Sequence, residues 1–219
     1  MVQELPLSTI PVVPAWFTHR LDRSRFIAGH LRKYVAGKVL DVGCDEAHLR
    51  ALVPGIEYTG IDVGGKPDLR IDLEATERLP FDDRAFDSVL CSDVLEHLDN
   101  LHRVFGELAR VTRRWLVISL PNNWTNARRP IERGKGSFSF YGLPAEKPQD
   151  RHKWFFGLTE ARDFYYAQEK RFPLRVVECF ANEKQRPALV VGLRRLRYPG
   201  TRYLNRYAHT LWAVFERTD

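Results

Sequence analysis

The stretch VLDVGCDEAHLR, residues 39–50, decides how the chain is read. VLDV has the look of a buried parallel strand, Gly43 opens a turn, and AHLRALV (47–53) follows as a short helical pattern stopped by Pro54 and Gly55. A strand, a glycine turn and a helix begin a nucleotide-binding unit, in which two or three glycines normally bare the backbone to phosphate. Here only Gly43 is left, Asp41 stands two residues before it, and Asp45 and Glu46 lie inside the turn. Like charges a few ångströms apart in a partly dry site repel by roughly several kcal/mol. A pyrophosphate is therefore a poor ligand, and a nicotinamide dehydrogenase on a similar sheet is disfavoured.

The same rhythm continues outward. Strands are expected at EYTGIDV, DLRIDL, AFDSVLCS, RWLVISLP, LRVVECFA and HTLWAVFER. Residues 15–36 have helical spacing, with Gly37 placed to end the helix. Leu101, Val104, Phe105, Leu108 and Val111 mark one face of another helix, and TEARDFYYAQEKR a third. Strands alternating with helices imply right-handed βαβ units and a parallel sheet covered on both faces. After Pro121 the rhythm lapses: residues 122–152 read as a long, polar loop rich in Pro and Gly on the acceptor side.

The 219 residues suit one domain, 1–219, with residues 1–37 as an N-terminal helical cap. No apolar run is long enough for a transmembrane helix, and MVQELPLSTIPVVPAWF lacks the basic start and apolar stretch of a signal peptide. Cys44, Cys91 and Cys179 are odd in number and scattered, which points to free thiols in a reducing compartment. The expected location is cytoplasmic, with a peripheral place at a membrane as the variant. The net charge of +6 favours acidic partners, although many soluble proteins are mildly basic.

A ligand that tolerates acids in the first turn carries cations and no phosphate. S-adenosylmethionine, with a sulfonium and an ammonium, fits. Gly43 lets the backbone come close. Asp62, at the tip of the second strand, is placed to accept from both ribose hydroxyls, and Asp72 and Leu73 to hold and cover the adenine.

Four blocks, VLDVGC (39–44), YTGID (58–62), LPFDDRAFDSVLCSDVLEHL (79–98) and RWLVISLPN (114–122), resemble the class I S-adenosylmethionine-dependent methyltransferases in the family's order. The third block and RHKWFFGLTEARDFYYA (151–167) look like the ubiquinone-biosynthesis-like branch. The resemblance implies a Rossmann-like three-layer α/β sandwich with a seven-stranded sheet, mostly parallel, whose last strand is antiparallel. It implies Asp41, Gly43 and Cys44 near the methionine part of the cofactor, with Asp45 in the same turn. Asp62 would lie on the ribose, Asp72 and Leu73 on the adenine, and Ser92 and Asp93 beside the sulfonium. Asp45 and Ala47 depart from the pattern, standing where the family usually has glycines.

Methyl transfer to a hydroxyl needs a proton acceptor. The candidates are Asp93, Glu96, His97 and His152, against plainer roles as cap, solvated residue or packing histidines. Trp124, Phe138, Phe140 and Tyr141 in the long loop are placed either to stack on a flat acceptor or to pin the loop. The expected acceptor is a small molecule or a glycan or lipid-linked cell-envelope compound; a nucleic acid is disfavoured for want of a base-reading motif. The alternatives are a metal-assisted RNA 2′-O-methyltransferase and a non-catalytic cofactor-binding homologue. SDVLEH spaces Asp93, Glu96 and His97 for one helical face, and with His152 the set resembles the metal-bearing arrangement of small-RNA 2′-O-methyltransferases. No resident metal is assigned on that ground, since LEH is common in members without one. Residues 184–206 form a basic insertion before the last strand, with Arg194, Arg195 and Arg197 beside apolar residues, suited to phosphate or an anionic membrane surface.

Overall fold

Seven strands stand where the sequence predicts them, and an eighth joins the sheet from the N-terminal side. The computed structural model describes residues 9–138, 140–148 and 150–219. Residues 1–8 of the expected N-terminal cap lie outside that range. The strands are β1 (Val12–Pro14), β2 (Lys38–Val42), β3 (Glu57–Asp62), β4 (Leu69–Arg70), β5 (Phe86–Ser92), β6 (Thr112–Pro121), β7 (Leu174–Glu183) and β8 (Ala208–Arg217). Their order is β1-β7-β8-β6-β5-β2-β3-β4. All run one way except β8, which is wedged antiparallel between β6 and β7. β1 is the addition: three residues pair Val12 to Ala181 and Pro14 to Glu183. A run so short, preceded by Pro11 and ending in Pro14, gives no periodic signal.

The helices are α1 (Arg20–His30), α2 (His48–Leu52), α3 (Leu101–Val111), α4 (Asn123–Arg133), α5 (Leu158–Gln168), α6 (Ala188–Arg197) and α7 (Thr201–Tyr207). Strand side chains alternate between two cores, as a period of two requires. Leu40, Val89 and Ile118 pack toward α3 and α5, whereas their neighbours Val39, Leu90 and Val117 pack toward α1 and α2. All five apolar positions predicted for α3 are buried.

Two expectations are corrected. The helix expected over 15–36 is shorter, because the Asp22 carboxylate accepts from the N–H groups of Thr18 and His19 and caps it at Arg20. It ends at His30, and a 3-10 turn, Arg32–Tyr34, intervenes before Gly37. The 122–152 segment is not all loop, since α4 occupies its first third. Only Asn123 and Ala127 of α4 are buried and Pro130 interrupts it, so its apolar stripe is too thin to read. The basic segment before β8 folds as the helix pair α6–α7.

Because the strands are parallel, the loops leaving β2, β3, β5, β6 and β7 gather at one end of the sheet. There the site lies. All three cysteines are buried and free. Among the described residues, no helix is long and apolar enough to cross a membrane.

Candidate active site

The strand ends open onto a cleft of about 1000 Å3, the upper part of the usual range for a ligand pocket. Every cofactor-side residue predicted from the sequence lines it. Asp41, Gly43, Cys44 and Asp45 come from the β2 turn, Asp62 from the tip of β3, Asp72 and Leu73 from beyond β4, and Ser92 and Asp93 from the end of β5.

The single glycine is explained by the turn itself. Gly43 has φ +75°, and a Cβ there would stand 2.3 Å from Val94 Cγ2. Asp45 (φ 51°) and Ala47 (φ 53°) take up the left-handed positions where the resemblance expects glycines. Asp45 is compensated: its N–H donates to Asp62 Oδ2 at 2.9 Å, and its Oδ1 meets Arg20 at 2.8 Å. Asp62 Oδ1 accepts from Gly64 N–H at 3.0 Å. Each Asp62 oxygen keeps a second lone pair, so the turn is braced without exhausting the carboxylate.

Asp41 accepts from the Tyr58 hydroxyl at 2.7 Å. Burial, with Asp62 adding repulsion and the tyrosine opposing, pushes its carboxyl up to about 6. Burial and the two aspartates raise the Cys44 thiol to about 12, so it stays protonated. Asp72 accepts from Glu74 N–H at 2.9 Å and holds its own turn.

Asp93 is not the free base that the sequence allowed. It has φ 50°, its Oδ2 lies 2.6 Å from Arg23, and its Oδ1 accepts from Ser119 at 2.5 Å, with Ser92 Oγ 2.8 Å from Ser119 Oγ. The SDVLEH segment is a 3-10 turn over Leu95–His97 rather than a helix, so Asp93 does not share a face with Glu96 and His97. Arg23, Ser119 and Asp150 escaped the sequence reading. They are ordinary polar residues, distant in the chain from what they touch.

Glu96, His97 and His152 do meet. Their ligand atoms lie within 4.8 Å of one another, and the two imidazoles pack edge to face with centroids 4.5 Å apart. Glu96 is fully buried with both carboxyl oxygens unpartnered. Burial and Asp93 hold it well above the usual carboxylate range, which favours the protonated acid. His97 Nδ1 lies 2.6 Å from Asp150 Oδ1, a contact short enough to favour the proton on Nδ1 although too bent for a regular hydrogen bond. Its Nε2 then carries the lone pair, 3.8 Å from Glu96 Oε1.

His152 has the opposite tautomer. Asn123 Oδ1 accepts from Phe156 N–H at 3.2 Å, which turns the amide nitrogen toward His152 Nδ1 at 3.0 Å. Nδ1 therefore accepts, and the proton of the neutral ring sits on Nε2. Burial, with His97 beside it, lowers its pKa to about 4. Phe140 stacks on His152 at 4.5 Å and Tyr141 meets it edge-on at 5.3 Å, so these aromatics pin the loop to the site. Trp124 is half exposed on α4.

Residues 40–115 match the family model described as a methyltransferase domain. No curated protein sequence matches the chain. Similar solved structures include the small RNA methyltransferase HEN1, with 20% identity and a TM-score of 0.57, covering 94% of this chain and 26% of that one. A SAM-dependent methyltransferase from Methanosarcina mazei has 16% identity and a TM-score of 0.54, covering 86% of this chain and 97% of that one. Another, from Archaeoglobus fulgidus, has 20% identity and a TM-score of 0.52, covering 89% and 94%. At these identities the likeness is one of fold.

Proposed function

We infer that this chain, a class I S-adenosylmethionine-dependent methyltransferase by its matched domain and its fold, methylates a hydroxyl oxygen of an acceptor seated over Glu96, His97 and His152. The cleft suits the cofactor: it has the volume, and the acids Asp41 and Asp62 complement a cationic ligand. Asp41, Gly43, Cys44 and Asp45 would hold the amino-acid end, Asp62 the ribose, Asp72 and Leu73 the base, and Ser92 and Asp93 would stand at the sulfur. When bound, the cofactor supplies a methyl group already activated on a cationic sulfur, so the chain need only orient the acceptor and take its proton.

The observation that carries the reading is that the two adjacent imidazoles meet different partners at Nδ1, Asp150 at His97 and the Asn123 amide nitrogen at His152. His97, with Asp150 at Nδ1, offers Nε2 to a hydroxyl proton. His152 offers an N–H from Nε2, and Glu96 a neutral carboxyl, to position the same oxygen. Asp150 is then a positioning residue that favours the imidazolium formed as the proton arrives. The favoured acceptor is a small molecule or a glycan or lipid-linked compound bearing free hydroxyls.

A second reading is favoured by one observation, the two buried and unpartnered oxygens of Glu96 beside two imidazoles. A carboxylate and two imidazoles suit Mn2+, Fe2+ or Zn2+ better than Mg2+, and such an ion would lower the pKa of an acceptor hydroxyl. The set is three residues, without the Asp93 that the sequence offered. Ligation through His152 Nε2 would move its proton to Nδ1 and force the Asn123 amide to turn, losing Phe156 N–H. That cost is why the metal-free base is preferred. An RNA 2′-hydroxyl belongs to this second reading.

The test is transfer of labelled methyl from S-adenosylmethionine to a panel of free sugars, polyprenyl-linked glycans and small RNA. An ether product that survives mild alkali is expected. His97→Gln should lower the rate by about 10²–10⁴-fold; Asp150→Asn should cost less, in kcat rather than in KM. S-adenosylhomocysteine binding should be unchanged in both. A full rate in His97→Gln, or methyl on nitrogen or carboxylate, refutes the base assignment. Loss of activity in EDTA with stoichiometric metal in tag-free protein would give the second reading instead.

A further inference from the structure

α6 leaves β7 and α7 enters β8, so this helix pair sits at the end of the sheet where His209 and Thr210, the next residues of β8, line the cleft. None of the ten residues of α6 is buried. Its inner side is half covered: Val191 packs on the core, and Arg194 lies 3.8 Å from Glu183 with its guanidinium 4.3 Å from the Tyr207 ring. Its other side carries Leu189, Leu193 and Leu196, which are 75%, 59% and 81% exposed. At about 100° per residue these three fall within an arc of about 60°, making one leucine ridge that points away from the protein.

A single exposed leucine needs no explanation, but a ridge of three on the uncovered side of a helix does. Its surroundings say what covers it. Residues 184–206 carry seven cations and no acid. Arg197 stands about 40° from Leu193 around the helix, its guanidinium 5.1 Å from the Tyr198 ring, while Arg195 lies nearer Val191, over Tyr203 at 5.2 Å. Beside Arg195 lies a recess of about 230 Å3 walled by Ile10, Val12, Pro199, Tyr203 and Leu204. A convex apolar ridge with a cation beside it and an apolar recess with one guanidinium are the features of a helix that lies in a lipid interface.

We propose that α6 docks the protein on an anionic bilayer, with Leu189, Leu193 and Leu196 at the acyl boundary and Arg186, Arg195 and Arg197 among the headgroup phosphates. Arg194, which the sequence grouped with these, is committed to Glu183 and Tyr207. Docking turns the cleft end of the sheet toward the membrane, whichever acceptor the site takes, so this proposal stands or falls apart from the methyl acceptor.

The test is co-sedimentation of the full chain with phosphatidylcholine vesicles, with and without about 30% phosphatidylglycerol, from about 0.05 to about 0.5 M NaCl. Binding to the anionic vesicles alone is expected, weakening at least about tenfold across that salt range. Replacing Leu189, Leu193 and Leu196 together by Ser should cut binding by at least about tenfold at low salt, with cofactor-product affinity and melting temperature unchanged. Arg186→Gln, Arg195→Gln and Arg197→Gln together should flatten the salt dependence. Because the native cysteines are buried, an environment-sensitive dye on Leu193→Cys reports the ridge alone and should shift to the blue on anionic vesicles. A wild type that ignores anionic vesicles, or a triple-serine variant that binds like wild type, overturns the proposal. So does a wild-type dimer that the serines dissociate, which assigns the ridge to a second copy. Equal binding to soluble polyglutamate without a dye shift would assign it to an acidic protein.

Discussion

Asp41 should make cofactor binding depend on pH in a range where aspartates normally do not titrate. Its carboxyl is pushed up to about 6 from 3.8, first by burial and then by Asp62, with the Tyr58 hydroxyl opposing. A cationic ligand in the cleft needs the carboxylate, so binding must expel the proton below that pH. With a pKa of about 6 only about one molecule in eleven is ionised at about pH 5, which weakens binding roughly tenfold, or about 1.4 kcal/mol, relative to about pH 8. An aspartate at its ordinary value would lose almost nothing. Calorimetry with S-adenosylhomocysteine should show this fall and the release of about half a proton near pH 6. Asp41→Asn should bind more weakly at high pH and lose the dependence. The same shift has a sign for stability. Between pH 3.8 and about 6 the folded state holds the extra proton, so the cofactor-free protein loses stability as pH rises through that window. Two pKa units correspond to at most about 3 kcal/mol, less whatever water entering from the cleft returns. Asp41→Asn should therefore melt higher than wild type at about pH 7.5 and equally at about pH 4. A flat affinity in the wild type, or the same slope in Asp41→Asn, refutes the reasoning.

Other outcomes follow from single contacts. Gly43→Ala combines a left-handed φ with a Cβ 2.3 Å from Val94 Cγ2, so chemical denaturation should show a loss of about 2–4 kcal/mol; adding Val94→Ala should return the steric part and leave the backbone part. His152, lowered to about 4 from 6.5, gives the folded state fewer protons than the unfolded one between those values. Stability should be complete above about pH 6.5 and fall as pH drops toward about 4, and His152→Gln should remove that slope from denaturation curves.

How much of this was legible depended on chain distance. The strand periods, the buried face of α3 and the turn at Gly43 are local patterns, set by side-chain alternation and by sterics within a few residues. So are the positions of Asp41, Asp62 and Ser92 at strand ends. A parallel sheet carries all such ends to one side, which is why the residues read for the cofactor share a cleft. α4 was missed because Asn123 and Ala127 are its whole buried face and its apolar pattern is almost silent. β1 was missed because a three-residue edge strand is specified by β7, its partner, and not by its own residues.

The surroundings of the candidate catalytic residues were decided at longer range. The sequence named Asp93, Glu96, His97 and His152 as one group, and the fold divided it: Arg23 and Ser119 occupy Asp93, while the segment after α4 brings Asp150 to His97 and Asn123 fixes His152. A side chain's protonation is set by what lies within a few ångströms, and those neighbours come from α1, β6 and the segments around α4. The chain's own pattern thus determined the elements, the end of the sheet where the cleft opens, and the acids that line it. Which imidazole holds its proton on which nitrogen, which carboxyl is neutral and which leucines face outward belong to packing between distant segments, because desolvation and hydrogen bonding exist only once those segments meet.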